Sequence, residues 1–267
     1  MNDLTERELK NRWLTNELLS YCGPIFVAPS LNSYPEQMID NGTCALVDTG
    51  QRRVLVTCCH VLDEYEKQHD ANQETILAMA LGEGYSCISF KNPKRHLLDA
   101  DQDLDLAVLE FDPKDINIPH TKNWFKVSEW PIPNVTNGEH IVFVGFPGAW
   151  RTAKGIEYGC GCAAIPLVVT DTNARTIACF RDSTNEQVLN DMKDCLGGIS
   201  GSPAYRLTDR GDFRLVGFAK AGPEKSGSSA RKYHAQAGSP LPAVLFTHAS
   251  FVQRDGTLKR NSFAPAA

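Results

Sequence analysis

Three short segments carry residue types that could together cleave an acyl bond. In Leu196-Gly197-Gly198-Ile199-Ser200-Gly201-Ser202-Pro203 a serine sits between glycines on a bend, and a proline closes the segment. Glycine permits positive φ angles and close backbone approach. The N–H groups of Gly198 and Ser200 could then converge beside the Ser200 hydroxyl, the layout of an oxyanion hole next to a nucleophile. The same composition also suits a plain surface turn. A hydroxyl is a weak nucleophile until a base activates it, so the other two segments decide between these readings.

The second segment, Val54-Leu55-Val56-Thr57-Cys58-Cys59-His60-Val61-Leu62, reads as a buried strand running into a helical turn with His60 at the junction. A histidine there is held by the core yet faces a cleft, which suits a general base and equally a structural histidine. The third, Asp101-Gln102-Asp103-Leu104-Asp105-Leu106-Ala107-Val108-Leu109, places Asp105 directly before an apolar strand. A carboxylate entering an apolar setting is costly unless paired, and a histidine N–H would compensate it. Asp99, Asp101 and Asp103 read as a solvated acidic loop.

The elements that must position these residues are mostly strands. Residues 3–20 predict a helix, capped by Asp3 or Thr5, with Leu9/Trp13 and Leu14/Leu18 as apolar pairs. After Gly23-Pro24 the expected strands are Ile25–Ala28, Thr43–Asp48, Arg53–Cys58, Ile76–Leu81, Cys87–Phe90 and Leu106–Phe111. A second set follows Pro131-Ile132-Pro133: His140–Gly145, Ile156–Val169, Thr176–Phe180, Ala204–Leu207, Phe213–Ala219 and Ala243–Thr247. Short strands between Gly/Pro turns indicate an all-β protein, here two six-stranded antiparallel barrels with an N-terminal helix. The expected organisation is a helical arm at 1–22, a first barrel at 23–125 with His60 and Asp105, a second at 126–250 with Ser200, and a C-terminal tail at 251–267.

Composition narrows the function classes. The 267 residues suffice for a sizeable core, and 42% hydrophobic with 22% charged residues is ordinary for a globular chain. A net charge of −5 without a basic stripe disfavours nucleic acid. No apolar run reaches the length of a membrane span, and the N-terminal residues lack the apolar core of a signal peptide, so a cytoplasmic protein is expected. The nine cysteines are expected as free thiols in a reducing compartment. Cys160-Gly161-Cys162 could chelate zinc with Cys179 or Cys195, but no second close pair supports it, so no metal and no cofactor is expected.

In their order and motifs the three segments resemble the trypsin-like (chymotrypsin-fold) serine peptidases, particularly the bacterial and heat-shock-type branch. Gly42-Thr43 with Thr57-Cys58-Cys59-His60 is similar to that family's strand pair ending in Thr-Ala-Ala-His. Asp105-Leu106-Ala107-Val108-Leu109 is similar to its Asp-Leu-Ala-Leu-Leu strand, and Gly198-Ile199-Ser200-Gly201-Ser202-Pro203 to its nucleophile loop. Val144-Gly145-Phe146-Pro147-Gly148 resembles a strand end in its second barrel. The resemblance implies a serine endopeptidase with Ser200 as nucleophile, His60 as base, Asp105 as its orienter and Gly198/Ser200 as oxyanion hole, acting on a protein or peptide.

Departures from the family carry information too. Secreted members hold an aspartate before the nucleophile, which pairs with a freed N-terminus; Ile199 stands here, so that switch is not expected. The family position six before the nucleophile lines the substrate pocket and is Asp194, which implies an Arg/Lys preference, although Cys195 lies one place out of the usual register. Lys220 falls on the strand resembling the substrate-binding edge and could neutralise Asp194 or favour acidic substrates. The alternative reading is a catalytically silent trypsin-like module that binds peptides or partners, and the N-terminal helix could dock a regulatory partner. An α/β-hydrolase is a poor match, because Ser202 replaces the last glycine of Gly-x-Ser-x-Gly and His60 precedes the serine.

Overall fold

A computed structural model describes residues 16–30, 40–80, 87–90, 93–110, 122–147, 151–154, 157–160, 162–180, 198–208, 211–221 and 244–260. Two β units lie along the chain. The first contains β1 (Cys22–Ala28), β2 (Asp40–Asp48), β3 (Arg53–Thr57), β4 (Ile76–Ala80), β5 (Cys87–Phe90), β6 (Leu97–Asp101), β7 (Leu106–Glu110) and β8 (Phe125–Lys126). Their order is β5-β4-β1-β2-β3-β7-β6, with β8 parallel to β2. The second contains β9 (His140–Gly145), β10 (Arg151–Lys154), β11 (Glu157–Cys160), β12 (Ala163–Thr172), β13 (Thr176–Phe180), β14 (Pro203–Leu207), β15 (Phe213–Ala221) and β16 (Val244–His248). Six of these close a barrel in the order β12-β13-β16-β15-β14-β9, while β10 and β11 form a separate hairpin.

The fold is the two-unit, all-β architecture expected, with differences in strand count and boundaries. The first unit has eight strands rather than six, because Leu97–Asp101 and Phe125–Lys126 also pair. The expected strand Ile156–Val169 is split into β11 and β12. Residues 16–20 are helical, and the remainder of the expected 3–20 helix lies outside the described residues. The segment expected as a tail packs back on the first sheet through residue 260. Phe251, Val252 and Leu258 are buried, and Leu258 donates its N–H to Asp99 Oδ2 at 2.9 Å.

Local chemistry explains the hairpin that leads to the site. Between β2 and β3, Gly50 takes φ +82°, Asp48 Oδ1 accepts its N–H at 2.8 Å, and Thr49 Oγ1 accepts the N–H of Arg52 at 2.9 Å. These are the local side-chain bonds that turn residues offer the backbone. Past β3 the chain enters helix α1 (Cys59–Ala71), which buries Cys59, Val61, Leu62 and Tyr65 against the sheet.

Apolar side chains form one core inside each unit and one between them. Leu46, Leu55 and Leu77 represent the first interior, and Phe143, Ile177 and Phe246 the second. The layer between them joins Val47 and Val56 of the first sheet to Tyr205 and Phe218 of the barrel.

Candidate active site

Strand register brings His60 and Asp105 together. β3 and β7 are antiparallel with Thr57 opposite Ala107, so the residues just after β3 face those just before β7. His60 Nδ1 stands 2.8 Å from Asp105 Oδ2, and the His60 backbone N–H donates to Asp105 Oδ1 at 3.1 Å. That second bond has its own logic. The first N–H groups of a helix lack intrahelical partners and carry partial positive charge. Cys58, the residue that caps α1, offers no side-chain cap bond, so the Asp105 carboxylate supplies the acceptor from the turn before β7.

Asp105 occupies the left-handed region at φ +53°, the one non-glycine residue to do so among the described residues. The turn before it is tied internally: Asp105 N–H donates to the Gln102 carbonyl at 3.2 Å, and Leu104 N–H to Asp101 Oδ1 at 3.0 Å. Aspartate tolerates this backbone region better than most residues.

Ser200 lies on a turn in which Gly198 and Gly201 have φ +92° and +87°. Ser202 N–H donates to the Ile199 carbonyl at 2.8 Å, and Gly201 N–H to the Ala219 carbonyl at 2.7 Å. A Cβ on Gly201 would stand 2.1 Å from the Thr43 carbonyl oxygen, so only glycine fits there. Ile199, directly before Ser200, is fully buried within the barrel core. Hydrophobic burial therefore anchors this loop.

A hydrogen-bonded path joins the two loops. Thr57 Oγ1 donates to the Thr43 carbonyl at 3.0 Å, and Thr43 N–H donates to the Ser200 carbonyl at 2.8 Å. Thr43 Oγ1 also donates to the Gly198 carbonyl at 2.9 Å. Behind the histidine, Cys58 Sγ lies 3.2 Å from the Ala219 carbonyl oxygen. Burial, reinforced by the negative charge of Asp105, pushes the Cys58 thiol far above its ordinary pKa.

The donor atoms of Cys58, His60 and Asp105 lie within 4.8 Å of one another, the kind of group that can hold a metal ion. Within this group Nδ1 and Oδ2 are hydrogen-bonded to each other. Of the cysteines weighed for zinc, Cys179 is buried with its pKa raised by burial, whereas Cys162 is exposed. Cys195 lies outside the described residues.

The remaining expected site residues fare differently. Asp194 also lies outside the described residues. Lys220 sits at a bulge in β15, between Ala219 and Ala221 of the β15–β16 pairing, and its Nζ donates to the Asp103 carbonyl at 2.6 Å. A bulge re-aims a side chain, and this one reaches the acidic loop before Asp105. Thr43 and Thr247 were not singled out by their types. A threonine in a strand is ordinary, and their partners are distant in sequence.

A family model described as a trypsin-like peptidase domain matches residues 42–217. Among solved structures, the crystal structure of Deg5 aligns with 17% identity over 82% of this chain and 88% of its own, at a TM-score of 0.49. A thermostable serine protease, AL20, from an extremophilic microorganism aligns with 13% identity over 85% of this chain and 90% of its own, at a TM-score of 0.46. No curated protein matches the chain. With a family model covering most of its length, the chain belongs to the trypsin-like peptidase family.

Proposed function

We propose that the protein is a serine endopeptidase in which Ser200 is the nucleophile, His60 the general base and Asp105 its orienter. The observation that carries this reading is the pair of hydrogen bonds from one histidine, through Nδ1 and through the backbone N–H, to one carboxylate. With its proton held at Nδ1, the imidazole keeps Nε2 as acceptor. Nε2 takes the Ser200 proton as Oγ attacks the scissile carbonyl carbon, and returns it to the leaving amine. The N–H groups of Gly198 and Ser200 receive the developing oxyanion. Water then attacks the acyl carbon as Nε2 takes its proton, and Nε2 passes that proton to Ser200 Oγ as the Oγ–acyl bond breaks and the acid product leaves.

The left-handed Gly198 and the buried Ile199 support a loop already shaped for this task in the absence of a freed N-terminus. A fluorophosphonate probe tests the reading directly. Wild type is expected to label, and Ser200→Ala and His60→Ala are expected to lose labelling while remaining folded. Absence of labelling in the wild type would overturn the proposal. Asp194 gives the specificity expectation of cleavage after Arg or Lys, and a peptide panel varied at that position that is cut best after Leu or Glu would reverse it.

A further inference from the structure

Resting on the reading above, we propose that Thr43 and Thr247 are positioning residues, each reaching from its own β unit to fix the loop that carries the other unit's catalytic side chain. The need for such bracing is plainest at Asp105. A non-glycine residue in a sparsely populated backbone region persists only where its surroundings over-determine it. The two carbonyls preceding Asp105 are both captured from the second unit. Lys220 Nζ donates to the Asp103 carbonyl at 2.6 Å, and Thr247 Oγ1 donates to the Leu104 carbonyl at 2.7 Å. Thr247 is 2% exposed, so its bond is shielded from competing water. The Arg175–Asp103 pair, at 3.9 Å and on the surface, adds little.

The reverse brace is Thr43. It is fully buried, and its Oγ1 lies between an N–H and a carbonyl: Phe146 N–H donates to it at 3.1 Å, and it donates to the Gly198 carbonyl at 2.9 Å. An N–H can only donate, so the single hydroxyl proton is directed to Gly198. That carbonyl belongs to the peptide between the two oxyanion-hole donors, and its direction helps set theirs. Thus the first unit shapes the oxyanion loop, and the second unit shapes the carboxylate loop.

The test uses the purified full-length chain and a fluorogenic peptide. Thr43→Val and Thr247→Val remove only the hydroxyl in near-isosteric fashion. Thr49→Val is the matched control: Thr49 is as buried and donates to the distant Arg254 carbonyl at 2.6 Å, but holds neither loop. All three are expected to lower Tm. Only Thr43→Val and Thr247→Val are expected to lower kcat, by about tenfold to a hundredfold with KM changed less than about twofold. Thr43→Ser and Thr247→Ser are expected to recover most of that kcat. If Thr247→Val fails to fold, Lys220→Met loosens the same loop from a partly exposed position and carries the same expected loss. Unchanged kcat in these variants, or an equal loss in Thr49→Val, overturns the inference. A wild-type protein that does not label with fluorophosphonate defeats the peptidase reading instead, so the two failures are distinguishable.

Discussion

One carboxylate of Asp105 engages both the ring and the main chain of His60, with Oδ2 at 2.8 Å from Nδ1 and Oδ1 at 3.1 Å from the backbone N–H. Ring orientation and helix entry are therefore fixed by the same side chain. The carboxylate is the more sheltered partner, with 13% of its side chain exposed against 35% for the imidazole.

Asp105→Asn isolates the charge. Asparagine accepts the left-handed backbone about as well as aspartate, and its carbonyl oxygen can still receive the His60 N–H. Its NH2 then faces Nδ1 and forces the proton to Nε2, the wrong tautomer for a base. We expect kcat to fall by about 10⁴ with little change in Tm, measured by steady-state kinetics and thermal melts on the same preparation. A loss below about tenfold would show that the carboxylate does not orient the base.

Gly145→Ala tests the packing behind the Ser200 turn. An added Cβ would lie 2.0 Å from Ser202 Oγ and 3.1 Å from Ser202 Cβ. Overpacking of this kind typically costs about 1–3 kcal/mol. Ser202→Gly in the same chain removes both clashing atoms and should recover most of the lost Tm. The Ser202 hydroxyl is buried with no hydrogen-bond partner among the described residues, so its removal breaks no bond there.

His248 predicts an acid limit to stability. Its Nε2 donates to the Asn173 carbonyl at 2.9 Å, while Nδ1 is buried with no partner among the described residues. Burial, which disfavours the charged ring, holds its pKa below the ordinary histidine value. The unfolded chain therefore binds the proton more readily than the folded one. The stabilisation is fully present above the unfolded pKa of about 6.5 and is lost as pH falls below it. Urea midpoints measured between pH 7.5 and 5 should drop more in wild type than in His248→Gln.

Thiol accessibility should separate the cysteines. Burial raises Cys22 and Cys59 to about 12, and Cys44, Cys58 and Cys179 are shifted upward by the same cause. Thiolate is the reactive form. Iodoacetamide at pH 8, followed by peptide mass mapping, should modify the exposed Cys162 well before these five, which react only on unfolding.

Much of this arrangement could be read from residue types. His140–Gly145 and Cys87–Phe90 match their expected limits, because β-branched and apolar runs there are bounded by polar or turn residues. β6 was missed because Leu-Leu-Asp-Ala-Asp resembles an acidic loop. As a half-buried strand it tolerates charges that a central strand would not. α1 extends through Ala71 although only a turn was expected, since its polar residues Glu64, Lys67 and Gln68 hide a narrow buried stripe. At the site, the His60–Asp105 pair was legible because each type has a chemical role. Thr43 and Thr247 were not, because their meaning lies in bonds to carbonyls 155 and 143 residues away. The Lys220 bond to the Asp103 carbonyl was not legible either, because local sequence does not mark the bulge that carries Lys220.

The apolar layer shared by the two β units has a consequence for control. Val47, Val56, Tyr205 and Phe218 are as buried there as residues within either interior, and an apolar interface of that kind restrains domain motion. The halves should melt in a single calorimetric endotherm. A regulator of this molecule is then expected to work at the scale of a loop rather than by parting the two units.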